Sequence, residues 1–322
     1  MNKNANKSLE KSRLKQLYDK TGGIFIAFII LFAFMSVISP IFLTKGNILS
    51  LLKQAVTNSF LAFGMAYCLI AGEIDLSVGA TYAFAGVFSC MFINKGLPAG
   101  VAVLVVLALC AVVGSVNGIV TVRTGIPSFI VTLAMQNIVR GVAYITAGGT
   151  TIKSTNEWFS ALGTGTLFGV SYSVYIMIAS GIIVSIILSK TILGRHIFAT
   201  GGNKEAAIYS GIKVNKVKLI SFITCALFAG MAGIMAAARI SQALASNGSG
   251  MEGDAIAACV LGGVSFTGGR GTIYGSLCGA LTLALLTNGM YLLGINYYVQ
   301  LLVQGVLIIL AVVLDQKKQV RA

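Results

Sequence analysis

The sequence has few charged side chains, only three prolines and a single histidine. Charged residues make up 10 % of its 322 positions, against about 25 % in a typical soluble domain. Hydrophobic residues make up 57 %, and the mean hydropathy is +0.90. Because so few polar groups cannot cover a soluble fold of this length, the composition excludes an ordinary soluble enzyme, a disordered chain and a secreted disulfide scaffold. Long unbroken apolar runs predict an all-α, polytopic membrane protein.

Familiar catalytic and metal-binding patterns are also missing. The sequence contains no G-x-x-x-x-G-K-[ST], so we expect no ATP site of that type. His196 stands alone and therefore offers neither a metal cluster nor a catalytic triad. The six cysteines lie inside apolar runs without a C-x-x-C pair, which is typical of small packing residues. We therefore predict no catalytic residue, no metal site and no cofactor bound by this chain.

Apolar runs long enough to cross a bilayer recur along the chain. They predict about ten transmembrane helices, at residues 24–43, 48–72, 76–94, 99–118, 126–148, 167–188, 219–240, 254–267, 271–290 and 296–314. The run at 254–267 is short for a crossing and is alternatively a re-entrant segment. Pro40, Pro98 and Pro127 all fall at predicted span ends, where a missing backbone N–H costs least.

The positive charges predict how the chain is oriented. The formal net charge is +14, and 17 of the 23 Lys and Arg residues fall in predicted cytoplasmic segments, against five in outer segments. The positive-inside rule therefore places both termini in the cytoplasm, and the basic excess indicates orientation, with no nucleic acid as a partner. The expected domains are a basic cytoplasmic segment at 1–23, a transmembrane domain at 24–315 and a cytoplasmic tail at 316–322.

Two groups of four predicted spans follow the same spacing. Starts near residues 48, 76, 99 and 126 correspond to starts near 219, 254, 271 and 296, at an offset of about 170 residues. The first group begins outside and the second begins inside. We therefore predict an inverted repeat, a common construction in alternating-access transporters.

Two carboxylates interrupt the apolar sequence after the second predicted span. The segment reads Gly72-Glu73-Ile-Asp75-Leu-Ser77-Val-Gly79. Because carboxylates deep in lipid are costly, the segment either reaches the cytoplasmic surface or lines a watery cavity. Asp75 or Ser77 could cap the next helix, which is the simpler interpretation. A proton relay through Glu73 and Asp75 is the alternative.

Polar residues recur at helical spacing inside two predicted spans. Each set faces one side of its helix. One interpretation is hydrogen bonding between helices, and the other is a polar translocation path that meets the hydroxyls of a neutral solute. The residues concerned are Gln136, Asn137 and Arg140 in one span and Asn296, Gln300 and Gln304 in the other. Close helix contacts are expected at Gly114-x-x-x-Gly118 and Gly275-x-x-x-Gly279.

The longest interior polar stretch is the predicted cytoplasmic loop at 189–218. Asn203 is positioned to cap a short helix whose first turn carries Glu205. Gly211 could end that helix in a left-handed conformation. The loop is therefore either a short helix on the cytoplasmic face or a solvated connection.

Three separated motifs together resemble the membrane subunit of ribose-type ABC sugar importers. They are residues 72–79, the loop at 194–212 and the glycine-rich segment at 254–271, and the resemblance covers about residues 24–315. Family motif positions include Glu73, Asp75 and Ser77. Positions implied to couple to an ATPase are Gly194, Arg195, Gly201, Gly202, Asn203, Glu205, Ala206, Ala207 and Gly211. Glu205-Ala206-Ala207 matches the start of the coupling motif of ABC importers, but its usual Leu-Pro ending is absent.

This resemblance implies a permease in the bacterial cytoplasmic membrane that passes ribose or a similar monosaccharide inward. It also implies a cytoplasmic partner subunit that holds ATP and Mg, an extracytoplasmic sugar-binding protein that meets residues 246–252, and a permease homodimer or heterodimer. An ion-coupled secondary transporter that uses Glu73 and Asp75 is the alternative function. A channel-like or structural membrane protein is a third hypothesis.

Overall fold

The computed structural model describes residues 23–320, and helices dominate them, as the composition predicts. Residues 1–22 of the predicted basic segment at 1–23, and the last two residues of the tail, lie outside the described residues. The helices are α1 (Gly23–Ile38), α2 (Lys45–Ile70), α3 (Val78–Asn94), α4 (Ala99–Thr124), α5 (Ser128–Ala147), α6 (Glu157–Thr164), α7 (Tyr172–Lys190), α8 (Ile192–Gly202), α9 (Lys204–Tyr209), α10 (Val214–Ile240), α11 (Met251–Leu261), α12 (Ile273–Leu292) and α13 (Tyr297–Val320). The described residues also contain four two-residue strands, namely β1 (Ile152–Lys153), β2 (Thr166–Leu167), β3 (Val170–Ser171) and β4 (Gln242–Ala243). They form the antiparallel pairs β1–β4 and β2–β3.

Five of the described helices are long and apolar enough to cross a membrane, namely α4, α5, α7, α10 and α12. Helices α1, α3 and the first part of α13 are apolar but shorter. All eight lie within or across predicted spans. The structure therefore supports a polytopic helical membrane protein, while the count of ten spans stays a prediction.

Prolines and glycines mark the helix boundaries as the sequence indicated. Pro98 and Pro127 immediately precede α4 and α5, and Pro40 follows the end of α1. Gly125 ends α4 with a φ of 72°, a left-handed conformation that glycine adopts without steric cost.

The span predicted at 167–188 begins too early. Residues 166–171 form the hairpin β2–β3, and α7 starts only at Tyr172. Phe168 and Gly169 both have positive φ, which produces the tight turn between the two strands. The short predicted run at 254–267 corresponds to α11, whose 11 residues extend about 16 Å and cannot cross a bilayer of about 30 Å alone.

Helices α2 and α10 lie at the centre of the packing. Helix α10 packs against α2, α3 and α4, and α2 also packs against α11 and α12. A Cβ at Gly114 would come within 2.8 Å of the Ile223 Cα atom, and one at Gly279 would overlap the Ala258 carbonyl oxygen. The predicted close contacts at both G-x-x-x-G pairs are therefore confirmed.

Candidate functional site

Two short helices, α8 and α9, occupy the predicted cytoplasmic loop. The Thr191 side chain accepts a hydrogen bond from the Gly194 amide at 3.3 Å at the start of α8. The Asn203 side chain accepts one from the Ala206 amide at 3.0 Å at the start of α9, with Glu205 in the first turn. Gly211 follows α9 with a φ of 78°. The predicted cap and the predicted left-handed glycine are both confirmed.

The end of α8 crosses the ends of two other segments at backbone distance. A Cβ at Gly201 would overlap the carbonyl oxygen of Ile70, the last residue of α2, and would lie 2.7 Å from the Gly269 nitrogen. The Gly269 amide itself donates to the Ile70 carbonyl at 2.9 Å. Helix α8, the end of α2 and the glycine-rich segment before α12 therefore meet at one point, which we call the three-way crossing.

Helices α8 and α9 present a mixed charged and apolar outer face. Arg195, Lys204 and Glu205 are exposed on it. Ile208 and Tyr209 are 51 % and 90 % exposed beside them. Ala207 is buried and fixes α9 against the protein. Large exposed apolar side chains next to charges are typical of a surface that contacts another protein.

Asp75 and Ser77 form a buried polar cluster with Asn117 of α4. One Asp75 carboxylate oxygen accepts from the Ser77 amide at 2.9 Å and from the Ser77 hydroxyl at 2.6 Å. The Asn117 amide donates to the Ser77 hydroxyl oxygen at 2.9 Å. Ser77 precedes α3, but its hydroxyl bonds to Asp75 and makes no helix-capping bond. The predicted cap is therefore wrong for Ser77, whereas Asp75 accepts a backbone amide and closes a turn immediately before α3.

Glu73 forms an ion pair with Lys218 of α10. Glu73 is 6 % exposed and Lys218 is 16 % exposed on its side chain, so water screens the pair weakly. Both residues line a cavity of about 140 Å³ together with Lys204 and Ser128. The segment therefore lines a cavity, one of the two environments predicted for it, and Gly72 at its start is exposed.

One face of α5 carries four polar residues at intervals of four. The Ser128 hydroxyl accepts from the Ile74 amide at 3.2 Å, and the Thr132 hydroxyl accepts from the Leu76 amide at 3.0 Å. The Gln136 amide donates to Glu252 at 3.3 Å. Arg140 donates to the backbone carbonyls of Ala245 and Asn247, the first at 2.7 Å. This α5 stripe (Ser128, Thr132, Gln136 and Arg140) therefore bonds both the segment after α2 and the segment before α11.

The other sequence-predicted polar residues lie elsewhere. Asn137 is exposed, beside the stripe on α5. Asn296 is exposed and accepts from the Tyr298 amide at 2.9 Å at the start of α13. Gln300 donates to the Ile295 carbonyl at 2.9 Å, and Gln304 donates to the Thr287 hydroxyl of α12 at 3.4 Å. Gln136 and Gln304 therefore make the bonds between helices that the first interpretation expects, whereas Arg140 and Gln300 bond carbonyls of connecting segments. A place for these residues in a translocation path stays a prediction.

Sequence reasoning missed four residues of this arrangement. Asn117 and Lys218 belong to it through partners that are distant in sequence, so no local pattern indicates them. Ser128 and Thr132 do carry a signal, since they extend the spacing of Gln136 and Arg140 towards the start of the helix.

Comparison with known proteins places the chain in a family. Residues 47–312 match the family described as "Branched-chain amino acid transport system / permease component". The chain belongs to this permease family. It is therefore a transport subunit and not an enzyme.

Sequence similarity to named relatives covers nearly the whole chain. The ribose import permease protein RbsC of Escherichia coli strain K12 is 41 % identical over 298 residues, which are 91 % of this chain and 93 % of that protein. The L-arabinose ABC transporter permease protein AraH of Azospirillum brasilense is 38 % identical over 303 residues, 92 % of this chain and 88 % of the relative. RbsC of Bacillus subtilis strain 168 is 38 % identical over 298 residues, 92 % of each chain. No solved structure matches the chain.

Proposed function

We propose that this permease is the membrane subunit of an ABC importer that passes a monosaccharide, such as ribose or a similar pentose, into the cell. The observation that carries the proposal is the similarity to ribose and L-arabinose permeases over more than nine-tenths of the chain. ATP and Mg are bound by a separate cytoplasmic subunit, as the resemblance to ABC importers implies. In this proposal the protein lies in the bacterial cytoplasmic membrane with both termini in the cytoplasm.

Three partner surfaces follow from this function. The face of α8 and α9, with Glu205 and Tyr209, contacts the ATPase subunit. The segment at 246–252 receives the extracytoplasmic sugar-binding protein. A second permease subunit, identical or homologous, completes the membrane part. The exposed apolar side chains on α9 and its capped, fixed position support the first of these assignments.

Corresponding helix packing supports the inverted repeat that the sequence predicts. Helices α2 to α5 correspond in order to α10 to α13. Helix α2 packs against α11 and α12, as α10 packs against α3 and α4. Helix α3 packs against α5, as α11 packs against α13. The first helix of each unit thus packs against the other unit. This arrangement suits alternating access, in which one unit tilts against the other.

Two connections carry movement through the permease in this mechanism. The three-way crossing joins α8 to the end of α2 and to Gly269. A displacement of α8 therefore also displaces α2 and the glycine-rich segment before α12. The α5 stripe joins the segment after α2 to the segment before α11. Closure of the ATPase pair therefore tilts the repeats around a polar path that includes Gln136, Asn137, Arg140, Asn296, Gln300 and Gln304.

Reconstitution into liposomes with the partner ATPase and binding protein tests this function. Sugar uptake is expected to require both partners and ATP. Glu205→Lys should weaken co-purification of the ATPase and reduce uptake while leaving membrane insertion intact. Glu157→Lys is the matched control, because Glu157 is also an exposed acidic residue in the first turn of a short helix. Uptake against a gradient by this chain alone would contradict the proposal and favour an ion-coupled carrier.

A further inference from the structure

A cavity of about 210 Å³ lies between α3, the end of α10 and the segment that follows α10. We call it the α3–α10 cavity. Its polar lining consists of Tyr82, Arg239, Gln242 and Asn247. It is separate from the cavity at Glu73 and shares no lining residue with it.

Close backbone contacts shape the walls of the α3–α10 cavity. A Cβ at Gly233 would overlap the Tyr82 carbonyl oxygen, and one at Gly79 would overlap the Gly248 carbonyl oxygen. Arg140 of the α5 stripe holds the third wall through the carbonyls of Ala245 and Asn247. The cavity is therefore built into the packing of α3 on α10.

The polar side chains around the cavity have unused hydrogen-bond donors and acceptors. Across residues 23–320, no hydrogen bond joins the side chain of Tyr82, Arg239, Gln242 or Asn247 to another residue, although the Arg239 charge lies near the Tyr82 hydroxyl. Tyr82 is only 8 % exposed. Gln242 and Asn247 are half-buried and Arg239 is exposed, so these three side chains line an open side of the cavity, with the buried Tyr82 on the wall that α3 forms. Their free donors and acceptors are available to a ligand that enters from that side.

We propose that the α3–α10 cavity binds one neutral monosaccharide of pentose size, an inference that rests on the proposed function and names its binding site. The Gln242 and Asn247 amides and the Tyr82 phenol can each donate and accept hydrogen bonds, and the Arg239 guanidinium can donate them. Sugar hydroxyls also donate and accept, so they can bond all four side chains. The Tyr82 ring offers an apolar surface for the carbon face of the sugar.

Size and charge restrict the ligand further. A volume of about 210 Å³ leaves room for one sugar ring. The lining contains one cation, Arg239, and no carboxylate, so the ammonium group of an amino acid finds no ion partner. The cavity also lies between the two proposed repeats, where transporters of inverted-repeat construction hold their substrates.

Thiol protection on the full chain in lipid nanodiscs tests the site directly. Five of the six native cysteines are buried and Cys278 is half-buried, so Asn247→Cys adds a readily labelled thiol. D-Ribose or L-arabinose should slow maleimide labelling of this thiol by about tenfold at ten times the dissociation constant. L-Leucine should leave the rate unchanged. Lys153→Cys, on the strand paired with β4 but outside the cavity lining, is the control that sugars should not protect.

Uptake by the complete complex separates this inference from the proposed function. Gln242→Ala and Tyr82→Phe should each lower uptake about fivefold, the effect of one lost hydrogen bond. Lys153→Gln should not change it. A wild-type complex that carries no pentose would contradict the proposed function. A working complex would overturn the cavity assignment if Gln242→Ala retains full uptake and sugars do not protect Asn247→Cys.

Discussion

Gly201 and Gly202 are adjacent in α8 but have different surroundings. A Cβ at Gly201 would overlap the Ile70 carbonyl oxygen, whereas one at Gly202 would have its nearest neighbour, the Gly269 Cα atom, at 4.0 Å. Because these obstacles are backbone atoms, the three-way crossing can accept the added methyl group at Gly201 only by moving apart. We therefore expect Gly201→Ala to lower the free energy of unfolding by about 2 kcal/mol.

Gly202→Ala is the matched control, and its effect should stay within about 0.5 kcal/mol. The thermal unfolding midpoint of the purified chain in detergent measures both variants. Equal midpoints for Gly201→Ala and Gly202→Ala would contradict the close approach of α8 to α2.

Glu73 and Lys218 allow a second prediction at the scale of single residues. Removing one charge of a buried pair leaves the other without its partner, so Glu73→Gln should lower the free energy of unfolding by about 2 kcal/mol. Lys218→Met should cost a similar amount. The double variant should cost less than the two single variants together, because the second change removes a charge that is already unpaired.

Lys216→Met is the control for this cycle, since Lys216 is an exposed lysine on the same helix. Strictly additive effects of Glu73→Gln and Lys218→Met in thermal unfolding would refute the energetic coupling of the pair.

Local and distant relations differ in how well they can be predicted at this scale. The Asn203 cap depends on an amide three residues away, so the sequence alone indicates it. The partner of Glu73 lies on another helix, and no spacing rule connects the two. The Ser77 cap was mispredicted because capping preferences ignore a competing acceptor such as Asp75, two residues earlier.

At the scale of helices, α5 connects two segments that are otherwise far apart in sequence. Its first half bonds the backbone after α2 through Ser128 and Thr132, and its second half bonds the backbone before α11 through Arg140. A hydroxyl on a helix usually bonds its own backbone, so Ser128 and Thr132 looked ordinary in the sequence. The stripe can be recognised in the sequence only when all four polar residues are seen to recur every four positions.

Hydrogen–deuterium exchange tests the two halves of α5 separately. Thr132→Val removes the hydroxyl that accepts from the Leu76 amide, so exchange in peptides covering 71–77 should increase. Arg140→Met should instead increase exchange at 244–252. Ile138→Ala, on the exposed side of α5, should change neither segment. The α5 assignment fails if both variants increase exchange at the same segment or at none.

At the scale of the whole molecule, the predicted cytoplasmic lysines and the predicted outer lysines lie at opposite ends of the helices. Glu73, Lys204 and Lys218 meet around one cavity near the end of α4. Asn94 bonds the Lys153 carbonyl at 2.7 Å at the opposite end of α3, beside the strand pair β1–β4. Predicted cytoplasmic lysines therefore gather at one end and predicted outer lysines at the other. Apolar runs predicted this helical arrangement well, because membrane helices need long apolar segments.

The interruptions were harder to predict than the helices. The hairpin at 166–171 overlaps the start of a predicted span, because hydropathy does not register the turn at Phe168 and Gly169. Helix α6 lies in the connection before it, where no span was predicted. The α3–α10 cavity had no sequence signature, because its lining comes from three segments that meet only after packing.

Thiol labelling on intact cells tests the orientation of the two ends. Lys95 and Lys213 are both exposed, each at a short connection between helices. The positive-inside rule places Lys213 with the basic 189–218 region in the cytoplasm and Lys95 outside. A membrane-impermeant maleimide should therefore label Lys95→Cys on intact cells, and should label Lys213→Cys only after permeabilisation. The reverse pattern would invert the permease, and α8 and α9 would then face away from any cytoplasmic ATPase.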